Sequence, residues 1–414
     1  MDMLPEVFKF LSQQQGVTML NKPRLLTPGP THLPEDVRLA LGQDMIHHRK
    51  EGFVHLMRQV QAQLQTLFAT KQPVLPLSCS GTGAMQAAVD NLFTPGEQVL
   101  VVDGGKFGQR WAEIAGQGGL IVHRLPVERG NCVRPQDVQE ALRSHPDLSG
   151  ALVQYSETST GVLHPVADLG RITAREDTLL VVDGISGVGI CPCPMDEWHI
   201  DCLLTGSQKG LMLPPGMALT SLSDKAWAKV QSKASSSFYF DLDKERRKWD
   251  QGQTAYTSPI NLIMGLKASL DILLNQGLDQ VFAKQWALTQ MTRTGIQALG
   301  LSPLAPTHYT WGLTSIRLPE HIDGQAVLKT MAADFNVVMA GGQDALKGRI
   351  VRLGHMGYVD WGDILAGLAV LAHTLGQDTA DKQTNALEQA QQAYTQALAD
   401  PRSPLEKLQA SQEA

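Results

Sequence analysis

Three side chains stand at or beside short apolar runs where each could do chemistry. Asp183 closes Leu179-Leu180-Val181-Val182, an exit that would desolvate a carboxylate unless a cation or donor met it. A protonated ring nitrogen is one such partner; a helix N-cap or a salt bridge is another. Lys209 follows the next run after Gly206-Ser207-Gln208, so its amine can return to the crevice that Asp183 reaches. In apolar or cationic surroundings a lysine amine loses proton affinity and attacks a carbonyl, whereas a solvated one stays protonated and inert. Arg352 lies inside Ile350-Val351-Arg352-Leu353 and needs an anion if buried. Its planar fork matches a carboxylate at two points, although a structural salt bridge would meet the same need.

Five turns that follow apolar runs are unusually polar: Ser80 to Gly83, Gly105 to Gly108, Glu157 to Gly161, Asp183 to Gly187 and Gly206 to Gly210. In open parallel sheets ligands bind beyond the carboxyl ends of strands, so these turns are expected to converge. Ser80-Gly81-Thr82-Gly83 opens into a helix candidate at Ala84, which aims free N–H groups and a positive dipole end at a phosphate, or simply makes an ordinary strand-to-helix turn. His355 and the pair His47-His48 form no spaced metal-ligand set and are assigned structural or substrate-edge roles. No metal site is expected. Neither a Gly-x-Ser-x-Gly elbow nor a nucleotide fingerprint is present.

The elements that must position these groups follow from the apolar pattern. Runs at Val99–Val102, Leu120–Val122, Ala151–Val153, Leu179–Val182, Cys202–Leu204 and Met217–Leu219 read as strands buried on both faces, with helices such as Ala84–Leu92 and Pro135–Arg143 between them. This predicts an α/β architecture with a mostly parallel sheet. Helices at Asn261–Leu274 and Leu278–Leu299 lead to a second, smaller α/β unit. Its strands are Leu313–Arg317, Val337–Ala340 and Ile350–Leu353, and its helices are Gly324–Phe335 and Trp361–Leu375. The division expected is an N-terminal arm over 1–22, a large domain over 23–278, a small C-terminal domain over 279–376 and a helical or frayed tail over 377–414.

Composition narrows the function classes. The 414 residues are 43% hydrophobic and 18% charged, ordinary for a globular protein of two or three units. A net charge of -6, from 41 acidic and 35 basic side chains without a basic patch, argues against a nucleic-acid partner. Met1 to Leu20 lacks a signal-peptide core and no later run is long enough to span a bilayer, so a cytoplasmic protein without membrane association is expected. Five cysteines, at 79, 132, 191, 193 and 202, form no disulfide or metal framework and read as reduced thiols.

In order and spacing, several motifs together resemble the class V aminotransferases of pyridoxal-5'-phosphate (PLP) fold type I, most closely the alanine/serine:glyoxylate branch. They are Thr27-Pro28-Gly29-Pro30-Thr31, His48-Arg49, Ser80-Gly81-Thr82-Gly83-Ala84-Met85, Val182-Asp183-Gly184-Ile185-Ser186, Gly206-Ser207-Gln208-Lys209-Gly210 and Arg352-Leu353-Gly354-His355-Met356-Gly357. Similar cyanobacterial chains have carried the name of a soluble hydrogenase subunit. The resemblance implies that Lys209 holds PLP as a Schiff base, that Asp183 partners the pyridinium nitrogen and that Phe107 stacks on the ring. It also implies phosphate contacts from Gly81, Thr82 and Gln208, a cofactor contact from Ser80, ring-substituent contacts from Thr158 and Ser186, and substrate contacts from Arg352 and Gly29. A homodimer is implied in which Tyr256 and Thr257 of one subunit complete the other's phosphate site; their spacing departs from that of eukaryotic relatives. The activity implied is ping-pong transfer of an amino group from serine or alanine to glyoxylate or pyruvate. Other fold type I chemistry, a lyase or desulfurase, and a non-catalytic hydrogenase-associated subunit are the rivals.

Overall fold

A computed structural model describes residues 22–233, 235–376 and 380–413. The expected N-terminal arm therefore lies outside the described residues except for Lys22. The strands in chain order are β1 (Arg24–Leu25), β2 (Val74–Leu77), β3 (Gln98–Asp103), β4 (Ile121–Pro126), β5 (Leu148–Gln154), β6 (Ser156–Glu157), β7 (Val162–Leu163), β8 (Leu179–Asp183), β9 (Cys202–Gly206), β10 (Ala218–Leu222), β11 (Ser302–Pro303), β12 (Leu313–Arg317), β13 (Val337–Val338), β14 (Ala340–Gly341) and β15 (Ile350–Gly354). The helices are α1 (Glu35–Leu41), α2 (Glu51–Phe68), α3 (Gly81–Leu92), α4 (Lys106–Gln117), α5 (Pro135–Ser144), α6 (Val166–Thr173), α7 (Asp224–Gln231), α8 (Leu242–Trp249), α9 (Ile260–Gln276), α10 (Leu278–Ala298), α11 (Gly324–Phe335), α12 (Trp361–Thr374), α13 (Ala380–Ala399) and α14 (Pro404–Glu413).

Seven strands form the central sheet in the order β2-β10-β9-β8-β5-β3-β4. Strands β9, β8, β5, β3 and β4 run parallel, with a register shift between β3 and β5 at Gln98–Val99. Every residue of β8 and β9 is buried, as expected of strands covered on both faces. The apolar run at Met217–Leu219 forms β10, but β10 is antiparallel to both β9 and β2. The connection from Gly206 to Ala218 holds no helix, and a parallel neighbour would require a crossover element there. That short return loop carries Lys209.

Helix α4 illustrates how a covering helix follows from its residues. Gly108, Trp111, Ala112 and Ala115 recur at helical spacing and are buried on the sheet, while Gly118 and Gly119 end the helix. Close approach is obligatory at its start, because a Cβ on Gly108 would lie 2.4 Å from the Val102 carbonyl oxygen.

The smaller unit is a four-stranded antiparallel sheet, β11-β12-β15-β14, covered by α10, α11 and α12. The expected strand over Val337–Ala340 divides in two: β13 pairs with β1 and β14 with β15. Residues 24–25 thus cross to the small unit although they precede the large one. Helices α13 and α14 continue the packing, with Ala386, Ala390, Ala397 and Leu408 buried. No helix among the described residues is long and apolar enough to cross a membrane.

Two buried imidazoles couple this packing to pH. His164 Nδ1 accepts from Val133 N–H at 3.1 Å. His355 lies 3.0 Å from Thr314 Oγ1 through Nε2 and 3.2 Å from the Gln285 amide through Nδ1. Burial lowers the proton affinity of both from 6.5 to about 3. The unfolded chain therefore binds protons first as pH falls. Their stabilisation is complete above pH 6.5 and is lost progressively towards pH 3, at ~1.4 kcal/mol per pH unit for each ring. Urea denaturation at about pH 7.5 and pH 5.5 checks this: His355→Gln should lose less stability between the two than the parent protein does. An identical loss in both proteins would refute the assignment.

Candidate active site

The polar turns converge on a cavity of about 230 Å³ lined by Ser80, Gly81, Thr82, Phe107, Arg110, Ser156, Thr158, Asp183, Ile185, Ser186, Gln208 and Lys209. Nine residues singled out from sequence meet there: Ser80, Gly81, Thr82, Phe107, Thr158, Asp183, Ser186, Gln208 and Lys209. Their positions follow from the sheet order. Strands β5, β8 and β9 are parallel neighbours, so their carboxyl ends deliver the turns after Gln154, Asp183 and Gly206 to one edge.

Asp183 ends β8, only 4% exposed, and its Oδ1 accepts from Ile185 N–H at 2.8 Å. Burial raises its proton affinity to about 7; the Ile185 bond opposes this, the Glu157 charge adds to it, and Lys209 and Arg110 pull it down. Lys209 sits on a locked turn. Ser207 Oγ donates to Pro214 O at 2.7 Å, and Met212 N–H closes back on Lys209 O at 3.0 Å. Burial lowers the lysine's proton affinity to about 8, with repulsion from Arg352 helping and attraction to Asp183 opposing.

The lysine amine donates to Pro28 O. Gly29 is packed against the lysine side chain so closely that a Cβ there would lie 2.4 Å from Lys209 Cδ, and its φ of +96° suits glycine. Two glycines explain how the small unit reaches this point. A Cβ on Gly354 would meet Thr27 O at 2.2 Å, and Gly357, at φ +72°, lies against Thr31 and the Lys209 carbonyl. The segment before Thr31 is thereby clamped between the β15 end and the Lys209 turn.

Arg352, 8% exposed on β15, donates through Nε to Gly341 O and through Nη1 to Thr158 O, both at 2.8 Å. Burial lowers its proton affinity and the Glu157 charge opposes that. These two bonds aim the guanidinium from the small unit towards the cavity wall.

Helix α3 begins at Gly81 without a side-chain cap, and Ser80, Gly81 and Thr82 at its start line the cavity. Tyr256 and Thr257 do not line this cavity. Tyr256 stacks on Tyr239 at 5.2 Å between centroids and accepts from Lys244 Nζ at 3.1 Å. Their loop is held by Arg49, which donates to Gln253 Oε1, Thr254 O and Ala255 O.

Sequence reasoning missed Arg110 and Glu157. Arg110 lies 4.9 Å above the Phe107 ring and donates to Thr82 Oγ1 at 3.3 Å. Its position three residues after Phe107 on one helix was the available signal. Glu157, wholly buried at the end of β6, shared with Asp183 the signature of a carboxylate leaving an apolar stretch.

All five thiols have raised pKa values. Burial pushes Cys79, Cys191 and Cys202 to about 12, raises Cys132 and carries Cys193 well above its ordinary range. None of the five is a cavity-lining residue.

The sequence profile described as "Aminotransferase class-V" matches residues 35–359. This chain belongs to the class V aminotransferase family. Among curated relatives, a Synechococcus sp. protein named "Soluble hydrogenase, small subunit" is 36% identical over 87% of this chain and 94% of its own. A "Serine--glyoxylate aminotransferase" of Hyphomicrobium methylovorum is 34% identical over 84% of this chain and 88% of its own. Among solved structures, an aspartate aminotransferase from Thermus thermophilus superposes with a TM-score of 0.80 at 33% identity, covering 86% of this chain and 99% of that one. The fold is that of PLP-dependent fold type I transferases, and family membership implies PLP as cofactor.

The environment of Lys209 makes a pH prediction. On cofactor-free protein, the rate of imine formation with PLP should rise with pH and level off above about 8, as the amine loses its proton. Arg352→Leu removes a repelling charge, so the midpoint should move to higher pH. A midpoint unmoved or lowered by the substitution would show that Arg352 does not act on the lysine.

Proposed function

We propose that the protein transfers an amino group from a small amino acid, serine or alanine, to glyoxylate or pyruvate by a ping-pong mechanism, with PLP held at Lys209. The observation that carries this reading is the convergence of Lys209 and Asp183 on one cavity at the ends of adjacent parallel strands. The residues present fit the cofactor. An uncapped helix start at Ser80, Gly81 and Thr82 suits a phosphate, and Gln208 stands beside it. Asp183, with burial favouring a shared proton, suits a pyridinium nitrogen. Phe107 offers a ring face, and Thr158 and Ser186 offer polar groups to the ring substituents.

Bound PLP supplies the electron sink that stabilises negative charge at the donor's α-carbon. The chain does the rest. Asp183 keeps the ring nitrogen's proton in place, and Lys209, once released by the donor, takes the α-proton. Arg352 grips the substrate carboxylate, and Gly29, without a side chain, lets residues 28–30 pack directly against the lysine. A second copy of the chain is proposed to complete the phosphate site with Thr257 and Tyr256. Their placement outside their own cavity, beside Phe238 at 82% and Tyr239 at 45% exposure, supports a homodimer with this face inside.

The glyoxylate acceptor draws on the named activity of the Hyphomicrobium relative. Desulfuration is disfavoured because the pKa of every thiol is raised and none lines the cavity, while attack on sulfur needs a thiolate. A purely structural hydrogenase subunit has no use for a buried lysine, aspartate and arginine together.

Serine, alanine, aspartate and cysteine, each offered with glyoxylate and with pyruvate, test the reading through the keto acid formed. Serine or alanine with glyoxylate should give the fastest turnover, and Lys209→Ala should lower it by at least on the order of a thousandfold. Borohydride reduction of the holoprotein should place the cofactor tag on Lys209. A tag elsewhere, full turnover without Lys209, or sulfide release independent of keto acid would overturn the assignment.

A further inference from the structure

We propose that Glu157 is a positioning residue for the cofactor site: with the Ser159 hydroxyl it terminates helix α4 from outside that helix and so sets where Phe107 stands. The inference rests on the PLP reading above and extends it to a residue that does not line the cavity.

The start of α4 has no cap of its own, because Gly105 carries no side chain and the first-turn amides lack intrahelical partners. Those amides are served from a turn some fifty residues further along the chain. Glu157 Oε2 accepts from Phe107 N–H and Gly108 N–H, both at 3.1 Å, and Ser159 Oγ accepts from Lys106 N–H at 3.1 Å. Glu157 Oε1 in turn accepts from Ser159 N–H at 3.1 Å and from the Ser159 hydroxyl at 2.5 Å. Both carboxylate oxygens thus carry two donors, which uses their full acceptor capacity and suits a charged group at the positive end of a helix.

The fit leaves no slack. A Cβ on Gly105 would fall 2.5 Å from both Glu157 Cδ and Ser159 Oγ, and the 2.4 Å limit at Gly108 holds the same turn of helix against β3. Because Phe107 lies between these two glycines, its backbone cannot shift without breaking the carboxylate contacts.

The turn that holds Phe107 on one side holds the small unit on the other. Thr158 O accepts from Arg352, Gly161 O accepts from Thr310 N–H at 2.9 Å, and Ser156 Oγ donates to Thr310 Oγ1 at 2.8 Å. Residues 156–161 therefore act as a common reference for the aromatic that faces the cofactor and for the arginine proposed to face the substrate.

Glu157→Gln keeps the shape but loses the charge and turns an amide towards the Ser159 N–H. Ser159→Ala is the milder variant. Asp323→Ala, which removes the cap on α11 in the small unit, is the control for lowered stability alone. The readouts are PLP affinity by absorbance titration and the visible circular dichroism of bound cofactor, which reports the ring's fixed asymmetric setting. Glu157→Gln should weaken PLP binding roughly tenfold and reduce the dichroic band, as loss of a charge-assisted hydrogen bond would do. Ser159→Ala should shift both in the same direction by less, and Asp323→Ala should lower the melting temperature while leaving both unchanged. Parent-like affinity and dichroism in Glu157→Gln, or equal losses in Asp323→Ala, would overturn the proposal. If Glu157→Gln does not fold, Ser159→Ala decides on the same two readouts. A parent protein that takes up no PLP would instead sink the cofactor reading itself.

Discussion

Two opposite charges are brought together at the ends of adjacent strands, and much of the architecture answers to that pairing. Asp183 on β8 and Lys209 just beyond β9 each suffer from burial, one raised to about 7 and the other lowered to about 8. Each partly relieves the other, so removing either would leave its partner without that compensation. The sheet order makes the pairing possible. With β8 between β5 and β9, the aspartate is flanked by the turn carrying Glu157 and Thr158 and by the turn carrying Lys209. The lysine turn must double back at once, which is why β10 returns antiparallel without a crossover helix.

The small unit contributes to the cavity through backbone contacts that only glycine permits. Gly354 lets β15 touch the Thr27 carbonyl, and Gly357 lets the following turn rest on Lys209 O. Between these contacts the Pro28 carbonyl reaches the lysine amine. Arg352 is two residues before Gly354, so the same clamp that seats residues 27–31 also fixes the height of the guanidinium. A methyl group at Gly354 would collide with the Thr27 carbonyl, and one at Gly357 would crowd Thr31 and Lys209 O at 3.1 to 3.2 Å in a backbone conformation that favours glycine.

These relations explain what could be read from the residues and what could not. Strands β8 and β9 were legible because uninterrupted apolar runs ended at polar residues, whereas β12 and β15 carry polar residues within theirs, Thr314 and Ser315 in one and Arg352 in the other. The helix at Gly324–Phe335 was legible because its apolar spacing ended at Asn336, a left-handed cap. The direction of β10 was not, since an apolar run has no polarity; only the length of the preceding loop encodes it. The split of Val337–Ala340 between β13 and β14 was equally hidden, because it depends on pairing with β1, more than three hundred residues earlier. Among site residues, those in turns after strands could be placed from local pattern. Arg110 and Glu157 were not singled out, because their importance lies in what they touch: a ring one helical turn back and two amides on a distant helix.

Charge balance around the cavity gives these contacts a common logic. Lys209, Arg110 and Arg352 face Asp183 and Glu157, an excess of one positive charge when all are ionised. Burial and the neighbouring guanidinium make the lysine the easiest cation to discharge, so the excess can be relieved by losing its proton near pH 8. An incoming phosphate or carboxylate relieves the same excess by adding negative charge. The cavity is therefore suited both to presenting a neutral amine and to receiving anionic ligands. The two properties have one origin, since the guanidinium that would bind a carboxylate is also a charge that weakens the lysine's hold on its proton.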